Sequence, residues 1–88
     1  MNWYVYIVKC SDKSLYTGIS PNVENRVQLH NRGLGAKSIK GKLPVFLVYK
    51  ECVGAKIDAA RREREIKGWS RNKKLALITG TKVGACTE

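Results

Sequence analysis

The hydrophobic positions of the chain form short runs separated by turns and charged segments. Residues 2–10 are rich in aromatic and β-branched side chains, which predicts a strand that is apolar on both faces. Residues 11–14 have the composition of a turn, and Leu15–Ile19 predicts a second short strand. Because the two strands follow each other so closely, this part of the chain predicts a β-hairpin.

The length of the hairpin loop decides which side chains share a face, because neighbouring residues of a strand point to opposite faces. Tyr6 and Tyr16 share a face only if the loop contains an odd number of residues, as a three- or five-residue loop does. In the three-residue case, Tyr6 lies opposite Gly18 and Val8 lies opposite Tyr16. We then expect the missing side chain of Gly18 to leave space in front of Tyr6.

A helix is predicted directly after the hairpin. Ser20 would be its N-cap and Pro21 its first residue, because both residue types are favoured at these positions. The helix would end at Gly33. Residues four apart lie on the same side of a helix, which places Arg26 and His30 one turn apart.

The second half of the chain predicts a basic loop, a strand and two helices. Residues 33–44 contain three glycines and three lysines, which predicts a mobile loop of the kind that contacts phosphates. Val45–Tyr49 predicts a third strand and residues 54–69 a highly charged helix. Ser70 is predicted to cap a shorter helix that ends at Ile78.

Together these elements predict an α+β fold of order β-β-α-β-α-α. We expect a single domain over residues 1–78, because a chain of 88 residues is too short for two ordinary domains. Residues 79–88 have few apolar side chains and are predicted to form a flexible C-terminal tail.

The charge of the chain indicates what the domain binds. Its 17 Lys and Arg against 7 Asp and Glu give a net charge of +10, which is typical of nucleic-acid-binding domains. A membrane surface is the other common polyanion, but no segment combines an apolar anchor with a face of Lys and Arg. No apolar run approaches the ~18–20 residues of a membrane span, and the N-terminus lacks a signal-peptide pattern. We therefore expect a cytoplasmic protein that binds nucleic acid.

Five residues could supply the chemistry of phosphodiester hydrolysis: Tyr6, Tyr16, Arg26, His30 and Glu63. Singly, each has an ordinary interpretation. The tyrosines could pack in strands, the arginine could be solvated on its helix, and the histidine could be a partly buried polar residue. The glutamate could form an ion pair with Lys67, four residues later.

Tyr4-Val5-Tyr6 followed by Tyr16-Thr17-Gly18 resembles the two motifs that name the GIY-YIG endonuclease domain. Arg26 and His30 have the R-x-x-x-H spacing that follows the second motif. The resemblance covers about residues 2–78 and is strongest to the small stand-alone bacterial GIY-YIG proteins. Their pattern also includes H-N-x-G-x-G-A-K and R-R-E-x-E-I-K, which here are His30–Lys37 and Arg61–Lys67.

The resemblance implies a small three-stranded antiparallel sheet flanked by helices. It also implies metal-dependent cleavage of nucleic-acid strands, with Mg²⁺ or Mn²⁺ as the cofactor. The catalytic residues that it implies are Tyr6, Tyr16, Arg26, His30 and Glu63, and Glu63 would bind the metal.

Two features depart from the family pattern. Tyr4 stands where the first motif has glycine. The charged helix also offers Glu65 beside Glu63 as the metal-binding carboxylate. We prefer Glu63 because it shares a helical stripe with Ala59 and Ile66, whereas Glu65 points roughly 200° away at ~100° per residue.

The general base stays open at this point. A phenol with a pKa of ~10 is ionised in about one molecule per thousand at neutral pH. Arg26, a lysine or the metal would favour the phenolate of Tyr6 or Tyr16, and the sequence does not distinguish the two. His30 could instead take the proton, directly or through a tyrosine.

Further basic residues are candidate contacts to a nucleic-acid backbone: Lys37, Lys40, Lys42, Arg61, Arg64, Arg71, Lys73 and Lys74. The function we expect is a DNA endonuclease of repair or recombination, with DNA favoured over RNA. The alternative is a basic nucleic-acid-binding module that keeps the fold and has little or no cleavage activity. We expect a monomer whose targeting depends on a further protein partner.

Overall fold

The computed structural model describes residues 2–80 and contains three strands, three α-helices and one 3₁₀ helix. In chain order these are β1 (Trp3–Lys9), β2 (Leu15–Ser20), α1 (Val23–Asn31), the 3₁₀ helix (Lys37–Lys42), β3 (Phe46–Gly54), α2 (Lys56–Lys67) and α3 (Arg71–Gly80). The predicted α+β fold of order β-β-α-β-α-α is confirmed. No helix within residues 2–80 is long and apolar enough to cross a bilayer.

The three strands form one antiparallel sheet in the order β2-β1-β3. In the hairpin, Tyr6 lies opposite Gly18 and Val8 lies opposite Tyr16, as the odd loop length predicts. The backbone N–H of Cys10 donates to the carbonyl of Ser14 at 2.8 Å, which leaves a loop of the three residues 11–13. The last loop residue has a φ of 71°, as the third residue of such loops commonly does.

β1 is the centre of the sheet, and apolar clusters cover both of its faces. On one face, Tyr6 and Val8 pack with Val23 of α1 and with Ile39 of the 3₁₀ helix. On the other face, Val5, Ile7 and Tyr49 pack with Ala59 and Ile66 of α2. Burial on both sides explains why the sequence of β1 is apolar without alternation.

The helix after the hairpin begins two residues later than the sequence predicted. Ser20 is still paired with Tyr4 as the last residue of β2, and the helix does not begin until after Asn22, so Ser20 is not its N-cap. The N-cap is instead Asn22, whose side-chain oxygen accepts from the N–H of Asn25 at 3.1 Å. The hydroxyl of Ser20 accepts from the N–H of Asn22 at 3.0 Å and so supports the turn into α1.

The segment 33–44, predicted as a mobile loop, is built into the core. Its 3₁₀ helix buries Ile39, which is 3% exposed. The side chain of Asn31 holds the end of the segment by two hydrogen bonds to the backbone of Val45, at 2.7 and 3.0 Å. The sequence pattern missed this because the apolar residues that anchor the segment, Ile39 with the partly buried Ala36 and Leu43, are scattered among glycines and lysines.

β3 is longer than predicted, because it continues through Lys50 and Glu51 to Gly54. Its two charged residues are paired, Lys50 with Glu24 and Glu51 with Arg62, so they do not end the strand. Ser70 is the N-cap of α3 as predicted, since its hydroxyl accepts from the N–H of Lys73 at 3.2 Å. α3 runs to Gly80, beyond the predicted end at Ile78. The remainder of the predicted tail, residues 81–88, lies outside the described residues.

Candidate active site

Three aromatic rings from three elements meet on the α1 side of the sheet. The ring centroids of Tyr6 and Tyr16 are 6.4 Å apart, and those of Tyr16 and His30 are 5.5 Å apart. Tyr6 and His30 are 6.1 Å apart by the same measure, and the Tyr6 hydroxyl lies 2.8 Å from Nε2 of His30. The hairpin register and the position of His30 on α1 are what bring these side chains together.

Two glycines make room for this cluster. A Cβ on Gly18 would lie 2.6 Å from the Tyr6 hydroxyl oxygen, which is too close for any side chain. A Cβ on Gly35 would overlap Nδ1 of His30. Tyr6 and His30 are each only 1% exposed, so neither ring could move aside into solvent. Gly18 therefore leaves space for Tyr6, as the sequence predicts, and Gly35 leaves a second space for the ring of His30.

The electrostatics of the cluster oppose ionisation of Tyr6. Burial, followed by the neighbouring Tyr16, raises the pKa of Tyr6 to about 12, and Glu63 acts in the same direction. Arg26 acts in the opposite direction but does not outweigh burial. Arg26 thus acts on the pKa of Tyr6 in the direction that the sequence predicts, but burial outweighs it, and a hydroxyl with this pKa is neutral near pH 7.

His30 is kept neutral by the same surroundings. Burial, followed by the positive charge of Arg26, lowers the pKa of its imidazole. Its Nδ1 accepts a hydrogen bond from the backbone N–H of Ala36 at 3.2 Å. A backbone N–H such as this has no side-chain signature in the sequence. The G-x-G-A pattern at residues 33–36 was its one signal, because glycines often mark places where backbone approaches another group closely.

Glu63 lies on the stripe of α2 that faces the sheet, with Ala59 and Ile66 fully buried beside it. Its carboxylate is partly buried and forms an ion pair with Lys67 at 3.0 Å. The Lys67 amine also lies 5.8 Å from the centroid of the Tyr16 ring. The ordinary interpretation of Glu63 as an i,i+4 partner is thus present, and the same geometry places its carboxylate beside the tyrosine cluster.

Glu65 has different surroundings. Its carboxylate is more exposed than that of Glu63 and accepts from Arg62 at 2.9 Å. Arg62 in turn binds Glu51 on β3, so Glu65 belongs to an ion-pair network on the other face of the sheet. Of the two carboxylates, Glu63 is the one close enough to Tyr6 to raise the pKa of its hydroxyl, whereas Glu65 is paired with Arg62.

A divalent metal ion would have one protein carboxylate here. Among residues 2–80, no group of three or more His, Cys, Asp or Glu side chains is arranged to hold a metal. A single carboxylate still fits Mg²⁺, which keeps several waters and takes its other ligands from substrate oxygens. The donor set therefore fits a metal that binds together with a phosphate, and it does not fit a cage made by protein alone.

The predicted backbone contacts divide into two groups. Lys37, Lys40 and Lys42 lie on the 3₁₀ helix, which directly follows Ala36. Of these, Lys42 forms an ion pair with Asp12 at 3.7 Å and is the least available to a phosphate. The other five residues lie on α2 and α3, where only Lys74 is partly buried: Arg61, Arg64, Arg71, Lys73 and Lys74. Lys73 lies over the ring of Trp69 at 4.4 Å.

The fold and the site define a small α+β domain with a tyrosine–histidine centre on one face of its sheet. Residues 2–76 match the model of the GIY-YIG catalytic domain, which is nearly the whole of the described chain. The chain therefore belongs to the GIY-YIG superfamily, which is a superfamily of nucleases.

Relatives of known sequence and structure agree with this assignment. A UPF0213 protein of Staphylococcus haemolyticus and one of Staphylococcus aureus are each 57% identical over 75 residues, covering 85% of this chain and 92% of theirs. The solution NMR structure of a UPF0213 protein of Bacillus halodurans has a TM-score of 0.60 and 42% identity, covering 92% of this chain and 86% of that one. The designation UPF0213 carries no activity, so these relatives establish family and fold.

Proposed function

We propose that the protein is a metal-dependent endonuclease that hydrolyses phosphodiester bonds in DNA. The observation that carries the proposal is the convergence of Tyr6, Tyr16, Arg26, His30 and Glu63 from four elements on one small region. Any one of them has an ordinary structural use, but packing alone does not require all five to meet in one region. The family assignment supports the same reaction class.

Glu63 is the residue that would hold Mg²⁺ or Mn²⁺. When bound, the metal polarises the phosphate and stabilises the leaving oxygen. Arg26 provides a permanent planar cation beside the tyrosines, suited to a non-bridging phosphate oxygen. Together these groups neutralise the charge that develops as the phosphodiester is cleaved.

Hydrolysis also requires a base, because water loses a proton as its oxygen bonds to phosphorus and the P–O bond to the leaving oxygen breaks. Of the three candidates, we assign this role to Tyr16. Nδ1 of His30 is occupied by the N–H of Ala36, and the pKa of Tyr6 is raised to about 12, whereas Tyr16 is only partly buried and can meet a water molecule. The neutral Tyr6 hydroxyl is better suited to donating a hydrogen bond than to removing a proton.

The positive charge of the chain would hold the nucleic acid in place. Contacts from the 3₁₀ helix, α2 and α3 to phosphates would carry no sequence information, so we propose binding without strong sequence specificity. Its affinity should fall steeply with salt, as counterion release requires. A role in repair or recombination, a cytoplasmic location, a monomeric state and a partner protein for targeting complete the proposal.

One observation favours the alternative of a nucleic-acid-binding module without cleavage. The Glu63 carboxylate is already paired with the Lys67 amine, so a metal would have to displace this amine to reach it. In the alternative, this ion pair is permanent and the basic surface acts alone.

A nuclease assay tests the proposal. Plasmid, branched and single-stranded DNA are incubated with Mg²⁺ or Mn²⁺ and with wild type, Glu63→Gln or Arg26→Ala. Glu65→Gln is the matched control, because it removes the same charge from the same helix at a position paired with Arg62. We expect wild type and the control to cut and the other two variants to lose activity by roughly 100-fold or more.

Two outcomes would contradict the proposal. A wild type that binds DNA and cuts none of the substrates with either metal leaves the binding module as the function. Equal activity of Glu63→Gln and Glu65→Gln would remove Glu63 as the metal ligand.

A further inference from the structure

His30 is the single histidine of the chain, and both of its ring nitrogens have partners. Nδ1 accepts from the backbone N–H of Ala36 at 3.2 Å, and Nε2 lies 2.8 Å from the Tyr6 hydroxyl oxygen. A backbone N–H can only donate, whereas a hydroxyl can either donate or accept. The partner at Nδ1 therefore decides the direction of the bond at Nε2.

These partners determine which ring nitrogen carries the proton of the neutral imidazole. A nitrogen that accepts a hydrogen bond carries no proton, so Nδ1 is bare and the single proton of the neutral imidazole is on Nε2. A doubly protonated ring would place an N–H at Nδ1 directly against the N–H of Ala36, and the two donors would repel each other. Burial and the nearby Arg26 also lower the pKa of the imidazole, which favours the neutral ring. The hydrogen bond consequently runs from Nε2 of His30 to the oxygen of Tyr6.

The backbone around Ala36 holds this arrangement firmly. Gly33 has a φ of 77° and, like Leu34, donates its N–H back to a carbonyl of α1, at 3.0 and 2.9 Å. Gly35 has no Cβ, so the chain can pass directly across the imidazole. Because the donor at Nδ1 is backbone in an anchored turn, it cannot rotate away as a side-chain hydroxyl could.

We infer that His30 is a positioning residue held as the Nε2–H tautomer, which donates to Tyr6 and thereby directs the Tyr6 hydroxyl hydrogen to a phosphodiester oxygen. The oxygen of Tyr6 accepts from His30, so its own hydrogen is free for a second partner. His30 then orients Tyr6 and takes up no proton during the reaction. The second half of the inference rests on the proposed function, since it names a substrate oxygen as the partner.

NMR of the histidine tests the tautomer directly. A long-range ¹H–¹⁵N correlation spectrum of the ¹⁵N-labelled full-length protein shows one imidazole, so its signals need no assignment. We expect Nδ1 to resonate as an unprotonated nitrogen and Nε2 as a protonated one at neutral pH. A protonated Nδ1, an average of the two tautomers or a doubly protonated ring would overturn the inference.

Two substitutions of His30 test the role. In His30→Gln, the side-chain amide can still donate to Tyr6 but cannot take up a proton, whereas His30→Leu can do neither. We expect His30→Gln to keep cleavage within roughly tenfold of wild type and His30→Leu to lose roughly 100-fold, the usual scale for such groups. If a folded His30→Gln is as inactive as His30→Leu, His30 is a proton acceptor and the inference fails. If either variant does not fold, the tautomer spectrum of wild type decides.

Binding separates this inference from the proposed endonuclease. Without metal, the affinity of Tyr6→Phe for a short DNA duplex should be roughly tenfold below that of wild type, because a hydrogen bond to a charged oxygen is lost. Equal affinities would refute donation to phosphate even in an active enzyme. If wild type never cuts, the proposed reaction fails, while the spectrum and the binding comparison still decide the role of His30.

Discussion

The two faces of the sheet each bury one tyrosine, and the two tyrosines differ in what their hydroxyls do. Tyr6 lies on the α1 face and Tyr49 on the α2 face, and burial raises the pKa of each to about 12. Tyr49 donates to the carboxylate of Glu51, which Arg62 also binds through two hydrogen bonds at 2.9 and 3.2 Å. The hydrogen of the Tyr49 hydroxyl is therefore already used in a hydrogen bond within the protein.

Tyr6 has the opposite arrangement. Its oxygen lies beside Nε2 of His30, whose other ring nitrogen is held by the backbone N–H of Ala36, and within residues 2–80 no carboxylate accepts the Tyr6 hydrogen. Two buried tyrosines with the same direction of pKa shift thus differ in whether the hydrogen of their hydroxyl is already bound within the protein. A raised pKa alone does not mark a functional group; the direction of the hydrogen bond does.

The largest expected difference between the faces is in catalysis. Tyr6→Phe should lower cleavage by roughly 100-fold, the cost of removing one donor that stabilises developing charge. Tyr49→Phe should leave cleavage unchanged, because Arg62 still pairs with Glu51 in its absence. Initial rates on the same DNA substrate measure both variants. A larger loss in Tyr49→Phe than in Tyr6→Phe would reverse the assignment of the faces.

The second expected effect is on stability, and it concerns the space beside Tyr6. Gly18→Ala puts a Cβ 2.6 Å from the Tyr6 hydroxyl oxygen and should cost about 1–3 kcal/mol in the free energy of unfolding. Urea unfolding measures this cost. Gly41→Ala is the control, because nothing lies within 4 Å of a Cβ there, and its change should stay within about 0.5 kcal/mol. Equal values for the two variants would mean that Tyr6 yields without strain.

A smaller expected effect is the dependence of stability on pH, which differs between the two faces of the sheet. The lowered pKa of His30 means that the folded protein binds a proton less readily than the unfolded chain, so stability should fall as the pH drops below ~6.5. This loss belongs to the Tyr6 face and should shrink in His30→Gln. The raised pKa values of Tyr6 and Tyr49 act at the other end, where stability should fall as the pH rises from about 10 to about 12 on both faces. Unfolding midpoints measured across both ranges check the signs.

The smallest expected effect concerns Lys67, the lysine that pairs with Glu63 beside the tyrosine cluster. Lys67→Met frees the Glu63 carboxylate, so the affinity for Mn²⁺ should rise a few-fold, in keeping with the modest energy of a partly exposed ion pair. Calorimetric titration of Mn²⁺ measures it. Arg64→Met removes an equal charge from an exposed position of α2, and an equal gain there would show a general effect of charge only.

The sequence predicted the frame of the site because its signals were local. Hairpin parity set Tyr6 against Gly18, and helical spacing placed Glu63 with Ala59 and Ile66; both placements are found in the structure. The start of α1 was wrong because Ser20 is a good N-cap residue that tertiary pairing holds in a strand. Local preference cannot register a partner sixteen residues away in sequence, which here is Tyr4.

What the sequence left open depends on contacts between distant segments. The choice of base required knowing that burial outweighs Arg26 at Tyr6, and burial is a property of the assembled core. The tautomer of His30 required the N–H of Ala36, which has no side-chain signature. The commitment of Tyr49 to Glu51 and Arg62 likewise joins β3 to α2.

The three-residue loop of the hairpin constrains how this domain can vary in length. Tyr16 keeps its face only while Cys10 stays opposite Ser14. A residue inserted between Ser11 and Lys13 therefore preserves the site if it enlarges the loop, and destroys it if β2 slips by one position, because a slip turns Tyr16 to the α2 face and Thr17 toward His30. In a set of loop variants, loss of activity should coincide with a changed strand register, which NMR contacts across the hairpin would show.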